Sequence, residues 1–374
     1  MQTALQALSY IDLPGWADDD HLAAFHCFLN SADIFEGVDG PKTRALGIDG
    51  PALGCVFAKA RRQAAQIQDS AAAKAFFETH FTPIMFASDT PFAEYPGLLT
   101  AYFEPVVEGS LTRSEAFPIP LLRRPADLVE TKTFAPEDIP EDLPEGLRFA
   151  KKTAQGLVPY FDRSEIEGRV FSDGALAGQG LEMVWLANHV DVFFIHIQGS
   201  ASIHLQQGGT LRVSYDGKSG HDYTAIGKVL KDMGELAPGN IMMQTIKTWL
   251  LENPDRQLEI LHQNRSFIFF QEEKNLQPDL GPRATAGVQL TQGRSLAVDR
   301  VLHTFHTPIF VSYSRDGAID NRLMIAQDTG SAIVGPHRGD YFAGSGSGAG
   351  ETAGGFAASC RFVVLMPRAQ DLPT

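Results

Sequence analysis

Three aspartates stand in the C-terminal third of the chain, each just after or inside an apolar stretch: Asp299 in SLAVDR, Asp328 in RLMIAQDTG and Asp340 in HRGDYF. A carboxyl delivered by a short apolar strand can do acid–base work when burial raises its pKa toward neutrality. Alternating glycines, GSGSGAG at 344–350, follow Asp340. Glycine lets the main chain come close to an extended ligand. The stretch Leu323–Gly354 is therefore the densest source of candidate chemistry in the chain.

Several chemistries compete for these residues. Aspartic proteases pair two D-[ST]-G loops so that two carboxylates share a proton. Here only Asp328-Thr329-Gly330 fits. Asp173, Asp216 and Asp316 lack the following Thr or Ser and a clean apolar strand before them, so a protease would need a homodimer. Cleavage of a glycosidic bond needs a carboxylic acid of raised pKa near the leaving oxygen. Asp340, with Tyr341 and Phe342 after it, suits that role, and it equally suits a plain turn. The glycine run would bind a dinucleotide only with a strand before it and a helix after it in a βαβ unit. The sequence shows neither. The histidines, among them His189, His196, His204, His303 and His306, form no HExxH or other ligand pattern, so no metal is expected. Cys27, Cys55 and Cys360 are widely spaced and read as small buried hydrophobes. A second polar cluster, HIQGSASIHL at 196–205 with SYDGKSGHDY at 214–223, carries either hydrogen bonds to sugar hydroxyls or a pair of hairpin turns.

These groups need a scaffold. The chain has 374 residues, 44% of them hydrophobic, enough for about two domains with sizeable cores. Its formal net charge of -14, with no Lys/Arg run longer than two, argues against nucleic acid as a partner. No apolar run reaches the roughly 18–20 residues of a membrane helix. No signal peptide is visible either: the first Lys or Arg is Lys42, and an acidic DDD occupies 18–20. Apolar spacing predicts helices over 18–90, and again over 223–264. Short β-rich runs from Leu98 include VDVFFIHIQGSASIHL, and further strands fill 284–366. The order helical, β, helical, β implies a mixed fold rather than a βαβ array.

Together the segments GLLTAYFEP (97–105), FFIHIQGSASIHL (193–205), RVSYDGKSGHDYTAIGKVL (212–230), SLAVDR (295–300) and RLMIAQDTGSAIVGPHRGDYFAGSGSGAGETAG (322–354) resemble the membrane-bound lytic transglycosylase A family (MltA, glycoside hydrolase family 102) with its C-terminal three-aspartate domain. The resemblance runs in the family's order over about 95–366. It implies a mixed α/β fold made mainly of β-barrels with helices. A discontinuous double-psi β-barrel domain (1–104 plus 276–374) would carry an inserted, smaller β-rich domain (105–275), with glycan in the groove between them.

The activity implied is peptidoglycan cleavage at the β-1,4 bond between N-acetylmuramic acid and N-acetylglucosamine, forming 1,6-anhydromuramyl ends without water. Asp340 falls at the family's catalytic aspartate, acting as general acid and then base. Asp328 and Asp299 would shape the site and help keep Asp340 protonated. Thr100, Tyr102, Gln198, Gly199, Ser200, Tyr215, Lys218 and Tyr223 would line the groove, and Glu104 is given no catalytic role. No cofactor is implied. Peptidoglycan glycan strands are the partner, with cell-wall synthesis or division complexes beside them, and the periplasm or outer-membrane periphery is the expected place. The chain departs from the family pattern at Val301–His306, where an apolar-Pro-x-Gly turn is usual. That departure motivates the alternative of a catalytically weakened peptidoglycan-binding protein.

Overall fold

The computed structural model describes residues 5–86 and 97–368, apart from positions 38, 142, 145, 170, 238, 240 and 316. The chain opens with β1 (Leu5–Ala7), α1 (His21–Asp33), α2 (Gly50–Gln63), α3 (Ser70–His80), β2 (Phe81–Phe86) and β3 (Gly97–Glu104). Aspartates start all three helices: Asp20, Asp49 and Asp69 accept the backbone N–H of Ala23, Ala52 and Ala72. Each satisfies a donor that a helix start leaves open. The expected helical region ends sooner than its pattern suggests, because Phe81–Phe86 pairs as a strand with β1. Positions 87–90 of that expectation lie outside the described residues.

The middle of the chain supplies β4 (Val106–Ser110), β5 (Ile119–Leu122), β6 (Leu128–Glu130), β7 (Phe149–Thr153), β8 (Gly156–Val158) and α4 (Arg163–Glu167). It continues with β9 (Glu182–Leu186), α5 (His189–Gln198), β10 (Ser200–Leu205), β11 (Thr210–Lys218), α6 (Ile226–Asp232), α7 (Met243–Glu252), α8 (Gln257–Leu261) and β12 (Ile268–Glu273). The last part contributes β13 (Ser295–Val298), β14 (Pro308–Arg315), β15 (Ala318–Asp328), β16 (Arg338–Ser345), α9 (Ser347–Gly354) and β17 (Ala357–Pro367).

Two compact units result. One comprises Met1–Phe103, Leu276–Gly344 and Phe356–Thr374; the other comprises Glu104–Asn275 and Ser345–Gly355. In the first, the ladder runs β17-β14-β15-β13-β16-β3, and β17 pairs again with β3, which closes six strands into a barrel. β14 with β15 and with β17, β13 with β16, and β17 with β3 pair antiparallel, whereas β13 with β15 is parallel. Closure removes the exposed sheet edge. Helices α1 to α3 bury Phe25, Phe28, Phe57, Phe76 and Phe77 in one aromatic cluster, with neighbouring rings at 4.9–6.4 Å.

In the second unit the sheet order is β12-β11-β10-β4-β9-β5, and a bridge from Arg123 to Phe270 brings its two edges together. A separate three-stranded sheet holds β6, β7 and β8. The expected β run VDVFFIHIQ is instead α5. Asn188 caps it through Asp191 N–H at 2.8 Å, and Gly199 ends it with φ 76°. An apolar run without clear periodicity suits a buried helix as well as a strand, and here its two caps decide.

The segment 345–355 departs from the domain expectation, which placed all of 276–374 together. Ser345 Oγ donates to Glu104 Oε2 at 2.7 Å, Gly346 N–H to Glu104 O at 2.9 Å, and Gln244 Nε2 to Gly350 O at 3.1 Å, so it packs with the second unit. The context required for a dinucleotide fingerprint is also partly present, since β16 precedes the glycine run and α9 continues it. The chain then returns as β17, antiparallel to β3 and β14, so no βαβ unit forms.

The core of the second unit contains a buried ion pair, Arg163 Nη1 to Glu167 Oε1 at 2.6 Å, both side chains at most 3% exposed. Arg163 also donates to the carbonyls of Asn264 and Ser266, and its Nη2 lies 3.1 Å from His196 Nδ1. Removing Arg163 would leave the buried Glu167 carboxylate with only imidazole partners, His262 Nε2 at 3.1 Å being the direct one. Arg163→Leu is therefore expected to cost about 3–5 kcal/mol, read as a lower midpoint in thermal or urea unfolding.

Candidate active site

Register explains how the aspartates of the first unit meet. On β13, Ala297 sits opposite Asp328 of β15 on one side and opposite Asp340 of β16 on the other. Directly opposed residues share a face, so the two carboxyls stand on one surface with a methyl group between them. Their Cα atoms lie two strand spacings apart, roughly 10 Å.

Strand β3 brings the hydroxyls. Thr100 and Tyr102 are two residues apart and share a face. Thr100 Oγ1 donates to Asp340 Oδ1 at 2.7 Å, and Tyr102 OH donates to Asp328 Oδ2 at 2.9 Å. Asp328 Oδ1 also accepts the backbone N–H of Thr285 at 3.1 Å and of Thr329 at 2.9 Å. The donors are therefore unequally shared. Asp328 accepts from three residues, while Asp340 accepts from one, and its Oδ2 accepts none among the described residues.

Electrostatics follow from that inequality. Burial pushes Asp340 up to about 6, helped by the Asp328 carboxyl and opposed by the Thr100 hydroxyl and by Arg338. Burial raises Asp328 as well, against its backbone N–H donors and Tyr102. When two nearby carboxyls compete for one proton, the worse-solvated one takes it, and that is Asp340. Phe342, two residues on, is buried against Tyr102 at 5.5 Å between rings and keeps this side dry. Tyr341 faces the other way, onto Phe356 at 5.0 Å. Arg338 and Thr285 belong to the site and were not anticipated, whereas Phe342 is one of the two aromatics noted after Asp340. The period of two along β16 could have pointed to Arg338, whereas Thr285 comes from a loop with no motif.

Asp299 differs from the other two. Its Oδ1 accepts Val301 N–H and its Oδ2 accepts Gly335 N–H, each at 2.9 Å. It ties a turn to the loop between Asp328 and Asp340, and it is not among the groups that hold Asp340's proton, contrary to the expectation. The altered turn at 301–306 is pinned from outside. Ala45 and Leu46 N–H donate to the carbonyls of Val301 and Leu302 at 3.2 and 3.0 Å, and Thr304 Oγ1 donates to Ile48 O at 2.8 Å. These bonds take over the rigidity that a proline would supply.

The second unit holds the remaining candidates. Gln198 closes α5, Gly199 is its left-handed cap, and Ser200 begins β10 opposite Ser214. Tyr215 N–H donates to Gly199 O at 2.8 Å, which ties the helix end to β11; Tyr215 is 42% exposed, whereas Ser200 is buried and, paired with Ser214, faces the other side of the sheet. Lys218 lies past a bulge at the far end of β11, where burial and Arg148 lower its pKa. Tyr223 is half exposed in the following loop. Glu104 is buried and committed: Arg212 Nη2 reaches both its oxygens at 2.9 Å.

Elsewhere in the first unit, a cavity of about 640 Å³ is lined by Asp19, Arg294, Asp320 and Arg322 among others. Arg322 is six residues before Asp328 on β15, roughly 20 Å away, and the cavity contains none of the candidates. Among the described residues no group of three or more His, Cys, Asp or Glu could hold a metal ion, and no helix is long and apolar enough to cross a membrane.

Comparison with known proteins places this arrangement. Residues 98–271 match the MltA specific insert domain, and residues 294–366 match the 3D domain. A membrane-bound lytic murein transglycosylase A of Escherichia coli K12 is 30% identical over 264 residues, 68% of this chain and 61% of that protein. One from Vibrio cholerae is 35% identical over 190 residues, 48% of this chain and 50% of that protein. The chain thus aligns with between half and about three-fifths of the length of these curated relatives. Solved structures match more fully. A membrane-bound lytic murein transglycosylase from Agrobacterium tumefaciens is 37% identical with a TM-score of 0.85, covering 98% of each chain. MltA from Neisseria gonorrhoeae is 29% identical with a TM-score of 0.78, covering 98% of this chain and 93% of that one. A sheet-rich fold with a closed barrel and an inserted unit, two family models in order and near-complete structural coverage at 37% identity agree: the chain belongs to the MltA family.

Proposed function

We propose that this protein is a peptidoglycan lytic transglycosylase in which Asp340 is the single acid–base residue. The observation that carries the reading is a carboxyl raised to about 6, with one oxygen held by Thr100 and the other accepting no hydrogen bond among the described residues. Protonated Asp340 donates its proton to the glycosidic oxygen as the bond from the muramyl C1 breaks. N-acetylglucosamine leaves with a 4-hydroxyl. The resulting carboxylate then takes the proton of the muramyl C6 hydroxyl, whose oxygen bonds to C1 and closes the 1,6-anhydro ring. The proton is restored to Asp340 and no water is consumed. An intramolecular nucleophile has a high effective concentration, so a second catalytic carboxylate is unnecessary.

In this reading Asp328 stays ionised on donors from three residues and holds Asp340's pKa up. Asp299 fixes the loop between them. Gln198, Gly199 and Tyr215, together with Lys218 and Tyr223, bind glycan. The inserted domain runs from Glu104 to Asn275, and the chain works on peptidoglycan at the periplasmic or outer-membrane periphery, alongside cell-wall synthesis or division complexes. Relatives named membrane-bound lytic murein transglycosylase support this reading.

Mass spectrometry of soluble products from purified sacculi tests it. Anhydromuropeptides support a transglycosylase; reducing-end products, heavier by one water, would make it a hydrolase and sink the proposal. Thr100 also gives a graded check. Thr100→Val removes the hydroxyl that stabilises the Asp340 carboxylate, so the pH at which kcat/KM begins to fall should move upward by about half to one unit.

A further inference from the structure

The Asp328–Asp340 pair depends on an irregularity in the ladder. Along β13 and β15, Ser295 pairs with Ile325 and Leu296 with Ala326, but the next residue, Ala297, pairs with Asp328. Gln327 is the extra residue, a β-bulge. In a regular parallel ladder Gln327 would lie opposite Ala297, and Asp328 would point to the other face. One inserted residue reverses that, because side chains alternate with period two.

Gln327 is fully buried, and its amide is bonded on every side. Its Nε2 donates to Cys27 O at 3.0 Å and to Ser31 Oγ at 2.8 Å, both on α1. Its Oε1 accepts from Ser295 Oγ at 2.6 Å and from Cys27 Sγ at 3.3 Å. Its backbone carbonyl accepts Ala286 N–H at 3.1 Å. Helix α1, β13 and the loop before it therefore hold the extra residue in place. Ala297, only 4% exposed, leaves the gap between the re-aimed carboxyl and its partner at methyl size.

We infer that Gln327 is a positioning residue: by pinning a β-bulge it turns Asp328 onto the face of Asp340, across Ala297, and so adds a negative charge that favours the protonated form of the acid–base carboxyl. The inference deepens the proposed function and rests on it for its catalytic meaning, but its test does not. The charged and titratable groups facing Asp340 are Arg338 on its own strand, Asp328 on β15 and Tyr102 on β3, with Tyr341 next in sequence. Only Asp328 owes its place to the bulge.

The experiment is an NMR titration of the Asp340 carboxyl carbon in the full chain, its signal assigned by its loss in Asp340→Asn. In Gln327→Met the ladder can relax to regular register, Asp328 leaves the shared face, and the Asp340 midpoint should fall by several tenths of a pH unit. Asp328→Asn should produce a similar fall, and adding Gln327→Met to it should produce no more. An unmoved midpoint in folded Gln327→Met, or a shift that adds to that of Asp328→Asn, overturns the proposal. Should Gln327→Met not fold, Ala297→Ser decides. Its hydroxyl lies between the two carboxyls only in the bulged register, and there it should lower the midpoint by several tenths of a unit. No change in Ala297→Ser would equally overturn it. Because the titration reads no turnover, absence of lytic products would count against the function and leave this result standing.

Discussion

Asp340→Asn is expected to lose at least about a thousandfold of lytic activity, because in the proposed mechanism one group supplies both proton transfers and general acid–base catalysis contributes about 10²–10⁴-fold. The same variant should be more stable than the wild type above neutrality. The sign follows from the raised pKa, which moves from 3.8 to about 6 on folding. A carboxyl raised in the folded state favours folding below its unfolded value, and that contribution is lost as pH rises through about 6. At pH 8 the buried charge costs on the order of 3 kcal/mol, and asparagine, always neutral, avoids it. Thermal unfolding at pH 8 and pH 4 checks this: the midpoint of Asp340→Asn should lie several degrees higher at pH 8 and coincide with wild type near pH 4. Equal stability at both values would show that Asp340 titrates as an ordinary aspartate.

The second large effect is the pH dependence of turnover. The free enzyme must carry the proton on Asp340 before substrate binds, so kcat/KM should be flat below about 6 and fall tenfold per unit above it. At pH 8 the rate constant should be roughly a hundredfold below its plateau. Asp328→Asn removes the neighbouring negative charge, a smaller influence than burial, Thr100 or Arg338, and should shift the falling limb to lower pH by up to about half a unit. At pH 7 that is up to about a further threefold loss, recovered by assaying at pH 5. Steady-state kinetics on sacculi between pH 4 and 8 decide the matter. A limb that stays in place in Asp328→Asn would mean that Asp328 acts by shape alone.

Several features were legible because local chemistry dictates them. Aspartates before helical runs became caps at Asp20, Asp49 and Asp69. The strand into Asp328 and the aspartate-bearing segment at 340 are where the apolar pattern put them. Thr100 and Tyr102, two apart on one strand, do face the same way, though onto the aspartates: their hydroxyls are bonded to Asp340 and Asp328. The family could be identified from five motifs that follow one another in order along the chain.

Tertiary structure decided the rest. Which of three similar aspartates takes the proton depends on burial and on how many donors each receives, and the donors Thr100, Tyr102, Thr285, Val301, Thr329 and Gly335 come from four separate segments. No window of sequence contains that count. The bulge at Gln327 is equally invisible, because a register shift exists only relative to a partner strand. VDVFFIHIQ became helix rather than strand through caps and packing on both sides, and 345–355 joined the other unit through the bonds at Glu104 and Gln244. The sequence by itself determined the chemical groups and the strands and caps that carry most of them; the fold alone decided which carboxyl is dry, which is solvated by backbone and which merely ties a loop. The reason is physical: a side chain's type is local, whereas its desolvation and its hydrogen-bond partners are set by whatever distant segments pack around it.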